Sequence, residues 1–240
     1  MSMGYPARTD EKESAPFLGP DEIPSVENLV TEDEAPVDNI FSEKQQRLLT
    51  ETLYSSWPGP GAGRTFVALA NVGFFFNVHQ PPFVPDMMLS LDVAIPEEVQ
   101  SQRNRSYFLW EYGKPPEVIV EVVSKTVGEE RGKKLDQYAW LGVAYYVILD
   151  PLGRIQEEPL VIHTLKNGRY VEQDSGWLHG VNLGLKLWKG PYEGLHTEWL
   201  RWYDGEGQLI LTGAERAQAE AQRAQSESER AQAAEQRAER

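Results

Sequence analysis

One acidic residue interrupts an apolar segment in the middle of the chain. Glu121 stands at the centre of VIVEVVS, residues 118–124. Ionising a carboxylate in apolar surroundings is costly unless a cation or strong hydrogen-bond donors replace its lost hydration. The cation could be a basic side chain, Arg131 or Lys134, or a divalent ion such as Mg²⁺, which one or two carboxylates commonly hold. Glu121 is therefore either a salt-bridged core carboxylate or a metal ligand.

Asp86 is the best candidate for a second metal ligand. It follows Pro85 in PFVPDMMLSLDV, residues 82–93. The alternating pattern predicts a strand with Asp86 and Asp92 on the face opposite its apolar residues. Because Asp92 lies about 20 Å farther along such a strand, only one of the two aspartates can join Glu121. We expect that one to be Asp86, whose approach Pro85 constrains.

A lysine that could act beside the two carboxylates occurs in the run EERGKKLDQY, residues 129–138. Lys134 and Tyr138 are four positions apart and share a helical face, whereas Lys133 is turned away by about 100°. A lysine next to a metal-bound water can orient that water and stabilise negative charge on a scissile phosphate. Two carboxylates and such a lysine are the parts of a metal-dependent phosphodiesterase. Tyr138 and Trp140 are predicted to be core and rim residues rather than a platform for stacked bases.

The segments that must position these residues form a βαβ unit. Residues 118–124 are apolar on both faces, which is typical of a central strand covered from both sides. Residues 127–141 have the spacing of an amphipathic helix that Gly142 ends, and residues 145–149 form another apolar run. A strand, a helix and a strand in this order predict a mixed sheet with helices against it.

Before this unit the pattern predicts one helix and two strands. Ser42 opens the sequence SEKQ, which resembles a capping box at the start of a helix that runs to about Tyr54. Residues 66–78 and 84–95 read as strands, and residues 96–112 as irregular. The predicted helix presents five residues to the core: Phe41, Leu48, Leu49, Thr52 and Leu53.

An antiparallel addendum and a repetitive tail are predicted after Pro151. The addendum comprises short alternating stretches at 160–165, 169–172 and 181–188, then a hairpin over 199–212 that turns at Asp204-Gly205. In the tail, Arg recurs every seven residues, at 216, 223, 230 and 237, which indicates a long helix or a coiled coil. The positions that would face a partner helix hold small residues, which would make self-association weak. The sequence therefore leaves open whether this helix is solvated or self-associates.

Composition limits the function classes. The 240 residues include no cysteine, which excludes disulfides, a cysteine nucleophile and thiolate metal sites. The net charge of −14 argues against nucleic-acid binding, but ten acidic and two basic residues lie in residues 1–40. We expect a loosely ordered acidic leader at 1–40, one domain at 41–213 and the heptad helix at 214–240. With no apolar run long enough to span a membrane, the chain is predicted to be soluble and cytoplasmic.

These motifs resemble the PD-(D/E)XK nuclease superfamily, and within it the Uma-type restriction endonucleases of bacteria. The resemblance covers residues 40–212. It is strongest in VPD at 84–86, in the segment 115–151 around Glu121, and in WLRWYD at 199–204. It implies a restriction-endonuclease-like α/β fold, in which a mixed β-sheet core is flanked by helices.

The resemblance also implies roles for the three residues. Asp86 and Glu121 would be ligands of Mg²⁺, with Mn²⁺ as a possible substitute, and Lys134 would be the catalytic lysine. The usual motif places this lysine at position 123, where the chain has Val123. The chain therefore matches the variant in which the lysine has moved to the following helix.

The resulting prediction is a Mg²⁺-dependent endonuclease that hydrolyses phosphodiester bonds in DNA. A homodimer, aided by the heptad helix, would suit the cutting of both strands. Two alternatives remain: a non-catalytic module on the same fold that binds nucleic acid or protein, and a phosphohydrolase of a small substrate. Basic residues near the motif, at 103, 105, 114, 125, 131, 133 and 134, are predicted to form a phosphate-facing rim.

Overall fold

The computed structural model describes residues 39–61, 63–123 and 132–238. Residues 1–38 of the predicted leader, Ser124, Lys125 and Arg131 lie outside this part of the chain, and the last two leader residues belong to the start of the first helix. Within it, the helices are α1 (Ile40–Ser56), α2 (Leu109–Tyr112), α3 (Lys133–Leu141) and α4 (Gly213–Ala238). The strands are β1 (Phe66–Ala70), β2 (Phe74–Phe75), β3 (Met87–Leu91), β4 (Tyr107–Phe108), β5 (Val118–Val122), β6 (Tyr145–Leu149), β7 (Leu160–Lys166), β8 (Arg169–Gln173), β9 (Trp177–Leu178), β10 (Leu183–Tyr192) and β11 (Leu195–Tyr203).

The central sheet has six strands in the order β1-β3-β5-β6-β7-β8. Strands β5 and β6 are parallel and are joined through α3, whereas the other neighbouring pairs are antiparallel. The predicted order strand, helix, strand is therefore confirmed, and the fold is mixed α/β as expected. The helix predicted over 127–141 begins at Lys133, and residues 127–131 of that prediction lie outside the described residues. Gly142 ends α3 in the left-handed conformation (φ 86°), which glycine adopts without steric cost.

Both faces of the central strand β5 are covered. Its residues Val118, Val120 and Val122 pack in a cluster with Leu49 and Leu53 of α1. Ile119 and Val123 point to the opposite side, where they join the residues of α3. The five residues of β5 are buried, as the continuous apolar pattern predicts. Glu121 is consequently enclosed between the sheet and α3.

The start of α1 differs from the prediction. The N-cap is Asn39, whose side-chain oxygen accepts a hydrogen bond from the Ser42 backbone N–H at 3.0 Å. Gln45 does not close a capping box, because its side-chain amide pairs with both backbone groups of Leu200 in β11. The predicted core-facing residues are nevertheless correct: Leu48, Leu49, Thr52 and Leu53 are buried, and Phe41 packs against them.

Three other predicted elements have different bounds. The strand predicted over 66–78 is divided into β1 and β2, because Asn71 adopts a positive φ between them. The strand predicted over 84–95 is only β3, which ends where Asp92 has φ 58°. The segment 96–112, predicted to be irregular, contains β4 and α2, and β4 pairs in parallel with β2.

The predicted hairpin over 199–212 is present but short: the chain turns at Asp204, with an antiparallel bridge between Tyr203 and Leu209 and a hydrogen bond from the Ile210 N–H to the Trp202 carbonyl at 2.9 Å. The prediction missed that β11 starts at Leu195 and pairs along its length with β10. With β9 these strands form a second sheet in the order β11-β10-β9.

Among the described residues, helix α4 is anchored to the domain at its first turn. Glu215 accepts two hydrogen bonds from the buried Arg201 guanidinium, at 2.7 and 2.6 Å, and one from the Thr212 backbone N–H. Residues 220–237 are exposed along their whole length. In the part of the chain that the structure describes, no helix combines the length and the apolar character needed to cross a membrane.

Candidate metal and phosphodiester site

Asp86, Glu121 and Lys134 come from three different elements that meet at one edge of the core. Asp86 directly precedes β3, Glu121 lies in β5, and Lys134 is in the first turn of α3. Strands β3 and β5 are antiparallel with Met87 opposite Val120. One step farther along this register, Asp86 comes opposite Glu121. The structure therefore brings together the three residues that the sequence singled out.

Two hydrogen bonds hold the Asp86 carboxylate. Its Oδ1 accepts from the side-chain Nε2 of Gln46 at 2.7 Å, and its Oδ2 accepts from the backbone N–H of Val122 at 2.6 Å. Asp86 is only half-buried, so its carboxylate connects the core with the surface.

Gln46 is a site residue that the sequence analysis missed. It lies on the buried face of α1 and is only 6% exposed. A polar residue on the core-facing side of a helix is unusual, and this position in the sequence pattern could have identified Gln46 as a candidate site residue. Sequence alone does not say which group such a side chain meets, because Gln46 and Asp86 are 40 positions apart.

The Glu121 carboxylate is 4% exposed and has two partners from α3. The Tyr138 hydroxyl donates a hydrogen bond to Oε1 at 3.0 Å, and the Lys134 Nζ lies 3.1 Å from Oε2. The predicted common face of Lys134 and Tyr138 is confirmed, since both side chains reach the same carboxylate. The Lys134 side chain is 27% exposed, so its ammonium group links a buried anion to solvent.

Burial raises the pKa of Glu121 to about 7. The positive charge of Lys134 acts in the opposite direction, the negative charge of Asp86 raises the pKa further, and the hydrogen bonds from Lys134 and Tyr138 lower it. The charge of Lys134 thus does not offset the desolvation of Glu121 and the negative charge of Asp86. A bound cation would favour the ionised form of Glu121 and remove this penalty.

The donor set fits a hard divalent cation. Oxygen ligands from one or two carboxylates are what Mg²⁺ takes, with the remaining positions filled by water and phosphate. Across residues 39–61, 63–123 and 132–238, no group of three or more His, Cys, Asp or Glu side chains could hold a metal ion.

Several other candidate residues lie outside this site. Asp92 forms an ion pair with Arg64 at 2.6 Å instead of facing Glu121. In the predicted phosphate-facing rim, Arg103 pairs with Glu111 at 2.6 Å, and Lys114 pairs with Glu117 and also donates to the Leu91 carbonyl. These two cations are thus engaged by the protein's own carboxylates. Lys125 and Arg131 of the predicted rim lie outside the described residues.

A mixed sheet with flanking helices and a C-terminal helix is consistent with a restriction-endonuclease-like fold. The family model Uma2, described as "Putative restriction endonuclease", matches residues 29–187, which is more than half of the chain. The chain therefore belongs to the Uma2 family. Membership implies a nuclease, with DNA as the substrate that the family suggests, and enzymes of this kind usually use divalent metal ions. No curated protein and no solved structure matches the chain.

Proposed function

We propose that the protein is a metal-dependent endonuclease that hydrolyses phosphodiester bonds in DNA. Asp86 and Glu121 would hold Mg²⁺, or Mn²⁺ in its place, and Lys134 would be the catalytic lysine. The observation that carries this proposal is the buried Glu121 carboxylate, with Lys134 at 3.1 Å and Asp86 opposite it across the β3–β5 pair. Two proposed acidic ligands and a lysine meet there, where β3 begins and β5 ends.

Each residue has a distinct role in this proposal. A divalent ion supplies Lewis acidity and lowers the pKa of a water molecule that it binds. The Lys134 ammonium, which reaches solvent from Glu121, can donate a hydrogen bond to the attacking water or to a phosphate oxygen. Tyr138 orients Glu121, and Gln46 and the Val122 N–H orient Asp86, so the carboxylates are fixed before substrate binds.

The test is cleavage of supercoiled plasmid with Mg²⁺ or Mn²⁺. We expect the parent to nick or linearise the plasmid, and Glu121→Gln and Lys134→Met to lose about 100-fold or more of this activity, because each removes a group acting at the scissile phosphate. Lys189→Met is the matched control, since this exposed lysine lies in β10 of the second sheet and not on α3. Equal cleavage by all variants would mean a contaminating nuclease and would contradict the proposal.

A non-catalytic module that binds nucleic acid or protein is the second candidate function. The Lys134–Glu121 ion pair favours it, because this contact gives Glu121 a cationic partner without any metal, and the net charge of −14 disfavours non-specific DNA binding. Thermal stabilisation by Mn²⁺ in the parent, absent in Glu121→Gln, would support the nuclease. No shift in either protein, together with an uncut plasmid, would support the binding module.

We also propose that two copies pair, which would place two sites on the two strands of a duplex. Residues 41–213 would be the nuclease domain and residues 214–240 the assembly element. Helix α4 projects beyond its Arg201–Glu215 anchor with an exposed surface of seven-residue period. Its small seam residues would make the pairing weak and concentration-dependent.

A further inference from the structure

Trp140 is the one exposed tryptophan of this chain. All seven tryptophans lie in the described residues, and six of them are buried or half-buried. The Trp140 side chain, in the last turn of α3, is 57% exposed. It occupies the rim position that the sequence predicted, but its neighbours give it a further use.

Trp140 belongs to an aromatic shelf that also contains Phe76 and Phe83. The rings of Phe76 and Trp140 meet edge to face, with centroids 6.2 Å apart and an interplanar angle of 77°. Phe76 stacks on Phe83 at 5.2 Å and 17°. The backbone of Phe83 is fixed by two hydrogen bonds to Phe74, at 2.7 and 3.0 Å. The aromatic shelf is therefore a rigid surface element, although Phe76 follows the end of a strand.

The aromatic shelf is continuous with the candidate site. Phe83 packs against Tyr138 with ring centroids 4.9 Å apart, and the Tyr138 hydroxyl donates to Glu121 at 3.0 Å. Phe83 also precedes Asp86 by three residues, and the intervening Val84 is 46% exposed. A nucleotide adjacent to a phosphate held at Glu121 and Asp86 would therefore have the shelf within reach.

The charges on α3 support a nucleic-acid strand along this surface. Lys133 and Trp140 are seven positions apart, so they lie within about 20° of one face and about 10 Å apart along the axis. Both are exposed, and the exposed Asp136 lies between them near the same face. This order favours a phosphate at the Lys133 end and a neutral base, rather than a second phosphate, at the Trp140 end.

We propose that the aromatic shelf binds an unpaired base of the DNA substrate by stacking. Bases inside a duplex already stack on their neighbours and present only their edges, so a base on Trp140 must be unpaired. The protein would then prefer single-stranded DNA over a fully paired duplex. This inference rests on the proposed nuclease function and adds the class of substrate.

The test is binding in EDTA, where cleavage does not interfere, measured by anisotropy of fluorescein-labelled dT₁₂ and of a 12-base-pair duplex. We expect Trp140→Ala to weaken dT₁₂ binding about 5- to 100-fold, the effect of losing one stacked base, and to change duplex binding less than about twofold. Trp140→Phe should retain most of the affinity. Leu195→Ala, which truncates an exposed apolar residue at the start of β11, should bind like the parent.

Three outcomes would overturn the inference. Trp140→Ala could bind dT₁₂ as tightly as the parent, or it could lose affinity for dT₁₂ and duplex equally. A lower sedimentation coefficient for Trp140→Ala, with unchanged dT₁₂ binding, would instead show that a second copy covers the aromatic shelf. If the parent cleaves plasmid and Trp140→Ala binds dT₁₂ as tightly as the parent, the stacking site is contradicted while the proposed nuclease function stands. If the parent neither binds DNA nor cleaves plasmid, the proposed function fails with it.

Discussion

The Lys134 ammonium lies 3.1 Å from the carboxylate of Glu121, across the contact between helix α3 and strand β5. The sequence allows two interpretations of Glu121, a salt-bridged core carboxylate and a metal ligand of a nuclease site. The Lys134–Glu121 pair is compatible with both. The distinction rests on the second carboxylate. Asp86, one position before the printed β3–β5 pairing, adds a second negative charge that raises the pKa of Glu121.

Glu121→Gln should stabilise the metal-free protein at alkaline pH. The pKa of Glu121 is about 7, above its ordinary value of 4.5, so between these values the folded state binds more protons than the unfolded state. The free energy of unfolding therefore falls as pH rises from about 4.5 to 7 and remains reduced above it, by up to about 3 kcal/mol. Glutamine resembles the protonated acid and avoids this cost.

This prediction is checked by thermal unfolding in EDTA between pH 5 and pH 8.5. The gain in Tm for Glu121→Gln over the parent should be largest at pH 8.5 and vanish near pH 5. Glu206→Gln, at an exposed carboxylate in the turn after β11, serves as the control and should show no such trend. A Glu121→Gln protein less stable than the parent at pH 8.5 would contradict the assigned pKa.

Metal affinity should fall as pH decreases below about 7. A proton on Glu121 competes with the metal ion for the same carboxylate, so binding must displace it. Below this pKa the apparent affinity should drop by about tenfold for each pH unit. Calorimetric titration with Mn²⁺ at pH 6 and pH 8 measures the difference, and equal affinity at both values would exclude Glu121 as a ligand.

Gln46→Met should weaken metal binding by about 10- to 100-fold, the usual effect of losing a group that orients a ligand. The substitution keeps the volume on α1 but removes the 2.7 Å hydrogen bond to Asp86. Gln45→Met is the matched control, because Gln45 holds the backbone of Leu200 and does not touch the site. The Tm of Gln45→Met should fall while its Mn²⁺ affinity stays at the parent value. Reduced Mn²⁺ affinity in Gln45→Met, with unchanged affinity in Gln46→Met, would mean that Gln46 does not support the metal site.

Removal of residues 219–240 should leave the Tm of the remaining protein within about 2 °C of the parent, since surface segments contribute little to stability. Helix α4 is held by its first turn, where Gly213 donates to Glu51 at 2.8 Å and Arg201 pairs with Glu215. Sedimentation equilibrium should show weak self-association of the full chain that the truncated chain lacks. A fully monomeric full chain at high concentration would leave α4 a solvated helix.

Much of the site could be predicted because its signals are local. Glu121 stands out since a carboxylate in an apolar strand needs a counterion, and Lys134 and Tyr138 share a face because α-helical residues four apart are neighbours. The apolar patterns of the strands and of the helix also predicted the βαβ unit that carries Glu121, Lys134 and Tyr138. The catalytic roles of these residues remain predictions.

Other features depend on contacts between distant parts of the chain. Asp86, which Gln46 contacts, lies 40 positions away, and Gln45 pairs with Leu200 instead of closing a capping box. Strand β11 pairs along its length with β10, in addition to the short predicted hairpin with the segment after it. The sequence by itself determined which residues are apolar, helical or costly to bury. Only the tertiary structure decided their partners, because strand register and helix packing are set by the whole core and not by the residues nearby.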